Sequence, residues 1–234
     1  MNGPVALVGA DEFLPAMATL DAELLAATGR RRPRVAILPT ASAPDGEETF
    51  QRWAAMGIEH FDGLGAEVEA VFVRDRAEAD DPANVQAVAE ADLVYLSGGH
   101  PGHLLRSLSG SAVWSAALEV HERGGVLAGC SAGAMVMCAT QARFRRPPHL
   151  PMRYESALGV VPGVAAFPHY DRMPEAIATL MMIPAPRGTV ILGLDEGTAV
   201  IGRDGSWQVR GRGRVTVWRG RHRERLRDGD VFRL

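Results

Sequence analysis

Residues 129–133, Gly-Cys-Ser-Ala-Gly, set a thiol and a hydroxyl side by side between two glycines. The form G-x-S-x-G, with a strand before it and a helix after it, is the pattern of a nucleophile elbow. Such a turn is too tight for side chains at its flanks, and it lifts the central side chain off the sheet. The symmetry of the glycines therefore picks out the Ser131 hydroxyl and leaves Cys130 pointing elsewhere. The N–H of Ala132 then lies at the start of a helix, free to meet developing negative charge. A plain glycine-rich turn gives the same five letters by chance, so the flanking elements carry the weight. Cys130 and Cys138 read as buried structural thiols, and two cysteines make neither a disulfide framework nor a zinc pattern.

A serine nucleophile needs a base, and the base needs an orienting partner. Three of the seven histidines directly follow strand-like runs: His100 and His103 in LSGGHPGHLL, and His169 in VAAFPHYDR. His60, His121 and His222 read as solvated, and His149 as loop. The orienting acid is Asp195 or Glu196 in GLDEGTAV, again at a strand end. Spacing alone does not choose among these three histidines and two acids. Gly98-Gly99 offers a backbone N–H that, with Ala132, would make a two-donor oxyanion hole; losing one such donor typically costs about 3–4 kcal/mol. The competing reading of that glycine pair is a turn that ends a strand.

The elements that would position these groups are legible as apolar runs. VALVG (5–9), RVAILPT (34–40), VEAVFV (68–73), ADLVYLSGG (91–99) and GGVLAG (124–129) read as buried strands of a parallel sheet covered on both faces. FLPAMATLDAELLAAT and WSAALEVHE between them have helical apolar spacing. This alternation predicts an α/β fold with a doubly wound, mostly parallel sheet. Beyond residue 189, TVILGL, TAVIG, WQVRG, RVTVWRG and VFRL read as antiparallel strands and hairpins. The expected organisation is a single α/β domain over 1–234, with a core at 1–197 and a C-terminal strand extension at 198–234. RRRP (30–33) and RFRRPPHLP (143–151) are the expected exposed loops.

Composition excludes several classes. Hydrophobic residues make 47% of the chain, charged residues 23%, and the net charge is −3, which gives no support for a nucleic-acid partner. All 25 basic residues are arginines. Gly124–Ala142 carries no charge, but its glycines and polar residues make it too polar to span a bilayer. With no positive leader at the amino terminus, a cytoplasmic protein without a membrane or nucleic-acid partner is expected.

With these residues laid out, the sequence resembles the serine peptidase family S51 of dipeptidase E and cyanophycinase, within the class I glutamine amidotransferase-like superfamily. The likeness runs through ILPTAS (37–42), LSGGHPGHLL (96–105), GCSAGAMVM (129–137), LGVVPG (158–163), FPHYD (167–171) and GLDEGTAV (193–200). It implies a flavodoxin-like sheet, Ser131 as nucleophile, His169 as general base and Glu196 as orienting acid, with Gly99 and Ala132 as the oxyanion hole. The order Ser–His–acid separates it from the α/β-hydrolases, which run Ser–acid–His. Glutamine amidotransferases carry cysteine at the elbow; here the thiol stands one position too early. FPHYD and GL-x-EG are closer to the dipeptidase E form of the motifs.

The resemblance implies a serine exopeptidase acting on small peptides, with dipeptides the expected substrates and no metal or cofactor. Homodimerisation stays open. His100 departs from the amide or acidic residue of the relatives and bears on substrate side-chain preference. Arg143, Arg145, Arg146, Arg153 and Arg172 are candidate partners for a substrate carboxylate, Arg172 the foremost by its closeness to His169. The competing readings are an amidotransferase-like binding module without turnover, and an amidase or esterase with the same triad.

Overall fold

The computed structural model describes residues 2–143, 153–182 and 184–234. The chain runs β1 (Val5–Val8), α1 (Ala18–Ala27), β2 (Arg34–Leu38), α2 (Glu47–Gly63), β3 (Glu67–Ala70), α3 (Pro82–Ala89) and β4 (Leu93–Leu96). Then follow α4 (Pro101–Leu108), α5 (Ala112–Glu122), β5 (Val126–Cys130), α6 (Ala132–Met137), β6 (Thr140–Arg143), β7 (Arg153–Ser156) and β8 (Val164–Phe167). The last part is α7 (Glu175–Met182), β9 (Val190–Leu194), β10 (Thr198–Arg203), β11 (Ser206–Gly211), β12 (Val215–Arg219), β13 (His222–Leu226) and β14 (Val231–Arg233).

An eight-stranded sheet in the order β14-β11-β10-β1-β5-β4-β2-β3 forms the centre. Strands β1, β5, β4, β2 and β3 are parallel, and β10, β11 and β14 extend the sheet antiparallel from β1. Successive side chains along these strands leave on opposite faces, which explains the unbroken apolar runs. Leu7, Leu38, Leu96 and Leu127 pack on one side against α3, α4, α5 and α6 residues such as Val88, Leu104, Trp114 and Val136. Val8, Ile37, Tyr95 and Ala128 pack on the other against Leu24 of α1 and Phe61 of α2. Each fully buried Leu or Phe contributes roughly 1.5–3 kcal/mol. Capping sets where the helices begin: the Asp81 carboxylate accepts the Ala83 N–H at 2.8 Å before α3, and Ser111 Oγ accepts the Trp114 N–H at 3.0 Å before α5.

The mostly parallel α/β sheet with antiparallel strands near the carboxyl terminus is as expected, but those strands divide. Only β10, β11 and β14 enter the main sheet. Strands β12 and β13 join β9 and β8 in a four-stranded sheet of order β13-β12-β9-β8, in which β8 and β9 run parallel. Helices α2, α3 and α4 and the β6–β7 hairpin were not read from the apolar runs. Of the histidines read as solvated, His121 is buried and the His60 side chain is nearly covered. His60 Nε2 donates to Asp21 at 2.8 Å, with side-chain exposures of 7% and 0%, so a partner inside the core overrides the polar residue's surface preference. Arg145, Arg146, His149 and most of the RFRRPPHLP loop lie outside the described residues. Among those described, no helix is long and apolar enough to cross a membrane.

Candidate active site

Strand β5 ends at Cys130, and the chain reverses at Ser131 into α6. Ser131 has φ 49° and ψ −106°, an unfavourable conformation for a residue with a side chain, of a kind costing about 1–3 kcal/mol. Its N–H donates to Val8 O at 2.9 Å and its carbonyl accepts the Met135 N–H at 3.1 Å, so both sides of the turn are held. The flanking glycines are required by close approach. A Cβ on Gly129 would lie 2.6 Å from the Gly133 carbonyl carbon, and one on Gly133 only 2.3 Å from Leu96 O. The turn is thus packed against itself and against β4, and only Ser131 projects.

Ser131 Oγ lies 3.1 Å from His169 Nε2, and His169 Nδ1 lies 2.9 Å from Glu196 Oε1. The carboxylate accepts from Nδ1–H, which fixes the tautomer and leaves Nε2 to accept the serine proton. Of the three candidate histidines, the structure brings only His169 to Ser131. His103 sits in the first turn of α4, its Nε2–H donating to Arg74 O at 2.7 Å. His100 caps the same helix at an exposed rim, its Nε2 paired with Asp45 Oδ1 at 2.8 Å.

Adjacent acids separate because side chains alternate at a strand end. Asp195 turns inward and accepts the Arg214 N–H at 2.9 Å, and burial raises its carboxyl above the ordinary range. Glu196 turns to His169. It is held below the usual carboxylate value of 4.5, first by the His169 hydrogen bond and then by Arg172. Arg172 gives Nε–H and Nη2–H to Glu196 Oε2 at 3.0 and 2.8 Å. Two of its donors are therefore engaged on the acid, where a partner for a substrate carboxylate was expected.

Two residues inside the histidine motif were given no role from the sequence. The Tyr170 ring lies where a Cβ on Gly193 would be, 2.5 Å away, and its hydroxyl accepts the Trp218 Nε1–H at 3.1 Å. Asp171 Oδ1 accepts the Glu196 N–H at 3.0 Å. FPHYDR and GLDEG are thus two halves of one joint, and His169 sits on it in a left-handed conformation (φ 51°, ψ 37°). A polar pair directly after a strand-end histidine was the available signal.

The proposed donors lie close by. Gly98 packs on the serine: a Cβ there would be 3.3 Å from Ser131 Cβ. Gly99, at φ 139°, presses on Ala41 O, where a Cβ would come within 2.4 Å. Among the described residues the Gly99 N–H has no backbone partner, while the Gly98 N–H is taken by Glu12 Oε1 at 2.7 Å. Ala132 opens α6, so its N–H has no carbonyl four residues back within the helix. Cys130 and Cys138 are free and buried, and burial raises both thiols, that of Cys138 to about 12. Among the described residues no cluster of three or more His, Cys, Asp or Glu side chains is arranged to hold a metal ion.

Comparison with known proteins gives the family and the fold. The model of "Peptidase family S51" matches residues 7–210. A solved peptidase from an acI-B1 Actinobacterium is 30% identical, with a TM-score of 0.89, over 100% of this chain and 98% of its own. A putative peptidase E protein from Listeria monocytogenes EGD-e superposes with a TM-score of 0.62 at 18% identity, covering 97% of this chain and 99% of its own; at that distance the likeness concerns the fold. No curated protein matches the chain. The class defined by these findings is a serine-type peptidase. Within that class, the chain belongs to peptidase family S51.

Proposed function

We propose that the protein is an exopeptidase for short peptides, dipeptides foremost, working through a Ser131–His169–Glu196 triad. The observation that carries this reading is the pair of hydrogen bonds through one imidazole, 3.1 Å to Ser131 Oγ and 2.9 Å to Glu196. His169 Nε2 takes the hydroxyl proton as Oγ attacks the scissile carbonyl. Charge collects on the carbonyl oxygen, where the Gly99 and Ala132 N–H groups receive it. The imidazolium, steadied by Glu196, passes its proton to the leaving amine. Water then repeats the sequence on the acyl-enzyme, releasing the acid and restoring Oγ–H.

The substrate class draws support from the charges around the triad. Arg172 pairs with Glu196 at 2.8 Å, Arg212 with Asp11 at 2.5 Å, and His100 with Asp45 at 2.8 Å. Both signs around a small site suit a zwitterionic peptide, whose two termini need opposite partners.

The test is Ser131→Ala against a dipeptide panel, with new amino termini read by mass spectrometry. Hydrolysis should fall by about 10⁴–10⁶ in kcat, as for other triads, with the folded state unchanged. A fluorophosphonate should label Ser131 in the parent chain and nothing in the variant. Full turnover by the alanine variant overturns the triad; labelling of Ser131 without hydrolysis of any dipeptide overturns the substrate class.

A further inference from the structure

Glu12 is a carboxylate for which the proposed hydrolysis has no use, yet it lies beneath the proposed site with only 5% of its surface exposed. Its Oε1 accepts the Gly98 N–H at 2.7 Å, and its Oε2 accepts the Cys130 thiol proton at 2.9 Å. Gly98 directly precedes Gly99, the proposed oxyanion donor, and Cys130 directly precedes Ser131. One side chain thus ties together two loops at points 86 and 118 residues distant from it in sequence. A buried carboxylate is costly unless its oxygens find donors, and here both do.

The backbone bends twice to turn this side chain inward. Asp11 and Phe13, on either side of Glu12, have φ of 67° and 64°, each a conformation costing about 1–3 kcal/mol without glycine. Both are held from outside the turn: Asp11 by Arg212, and Phe13 by ring contacts to Trp53, Phe61 and Tyr95. Strain held from two directions around one inward carboxylate marks a position where geometry matters to function. The fit leaves no slack, since a Cβ on Gly98 would lie 2.6 Å from Glu12 Oε1.

We propose that Glu12 is a positioning residue that clamps Gly98 to Cys130 and so sets the distance between the Gly99 N–H and Ser131 Oγ. This rests on the reading of Ser131 as nucleophile and Gly99 as oxyanion donor. Glu12 touches no reacting atom. Its effect falls on the transition state, because the oxyanion donors engage the tetrahedral oxygen more strongly than the ground-state carbonyl. Loosening the clamp therefore lowers kcat and spares KM.

The deciding variant is Glu12→Met, which fills a similar volume and removes both acceptors. Methionine relieves the desolvation of the buried carboxylate but leaves the Gly98 N–H without an acceptor, so the variant should stay folded and melt some degrees below the parent. Its kcat on a hydrolysed dipeptide should fall about 30- to 300-fold with KM within about threefold, in line with loss of one oxyanion donor. The rate of labelling by a fluorophosphonate, whose phosphoryl oxygen uses the same donors, should fall in step. Glu12→Gln keeps an acceptor for Gly98 and should stay within about tenfold of the parent.

A methionine variant with parental kcat and labelling overturns the proposal. So does a loss confined to KM, or a glutamine variant no better than the methionine one. Should the methionine variant not fold, Gly98→Ala decides, since its Cβ would push the clamp open; parental kcat there overturns the proposal. If the parent chain itself fails to label at Ser131, the nucleophile reading falls first and this inference with it.

Discussion

The two sides of the site are held by different physics. On the serine side, Cys130 ends β5 of the eight-stranded sheet, and Ser131 and Gly98 follow its strands around the buried Glu12. A Cβ added at Gly98, Gly129 or Gly133 would meet other atoms at 2.3–2.6 Å. On the imidazole side, His169 follows β8 and Glu196 follows β9 of the smaller sheet, with side-chain exposures of 46% and 18%. That side is secured by hydrogen bonds between charged groups, Arg172 being 73% exposed. Steric packing does not respond to pH or salt, whereas partly exposed ion pairs respond to both. A hydrolase of this kind needs a nucleophile that stays still and a base that exchanges protons. The division matches those needs.

The sharpest way to break the contrast is on the charged side. Glu196→Gln preserves shape but removes the charge that stabilises an imidazolium and fixes the His169 tautomer. A fall in kcat of about 10³–10⁴ is expected, as for loss of the orienting acid elsewhere, with a melting temperature close to that of the parent. A variant within tenfold of the parent would mean that His169 is oriented by something else. The steric side should fail in the opposite manner. Gly133→Ala drives a Cβ to within 2.3 Å of Leu96 O, so thermal unfolding should register a loss of about 1–3 kcal/mol. Activity should fall through misplacement of Ser131, at all pH values alike. An alanine variant as stable as the parent would show that the turn yields, and the contrast would dissolve.

How much of this was legible in the sequence follows the same line. Ser131, His169 and Glu196, implied by the family resemblance, form a hydrogen-bonded chain through His169, and each motif is local and ends a strand. Four of the parallel strands were readable because burial on both faces leaves unbroken apolar runs, whereas β3, read as buried within 68–73, lies at the sheet edge and alternates exposed and half-buried. The choice of Glu196 over Asp195 was closed to spacing, since it depends on which way a side chain leaves a strand end. Glu12 was invisible for a stronger reason: its partners are Gly98 and Cys130, and no local pattern encodes such a contact. The division of the carboxyl-terminal strands between two sheets was hidden likewise, because short antiparallel strands carry no mark of their partner.

The finest probe of the contrast is Arg172. Glu196 titrates below its ordinary 4.5 in the folded chain, first through the His169 hydrogen bond and second through Arg172. A lowered carboxyl contributes stability that is present above the unfolded value and lost as pH falls through the folded one. Arg172→Met removes one of the two causes, so the folded value rises toward 4.5. The part of the acid limb of kcat/KM that belongs to Glu196 should therefore move to higher pH, and acid unfolding should begin earlier. At neutral pH the cost should be small, about two- to fivefold in kcat, because exposed pairs contribute little. High salt should imitate the variant in the parent chain and leave the methionine variant nearly unaffected. An acid limb that stays in place, or moves to lower pH, would detach Arg172 from any influence on Glu196.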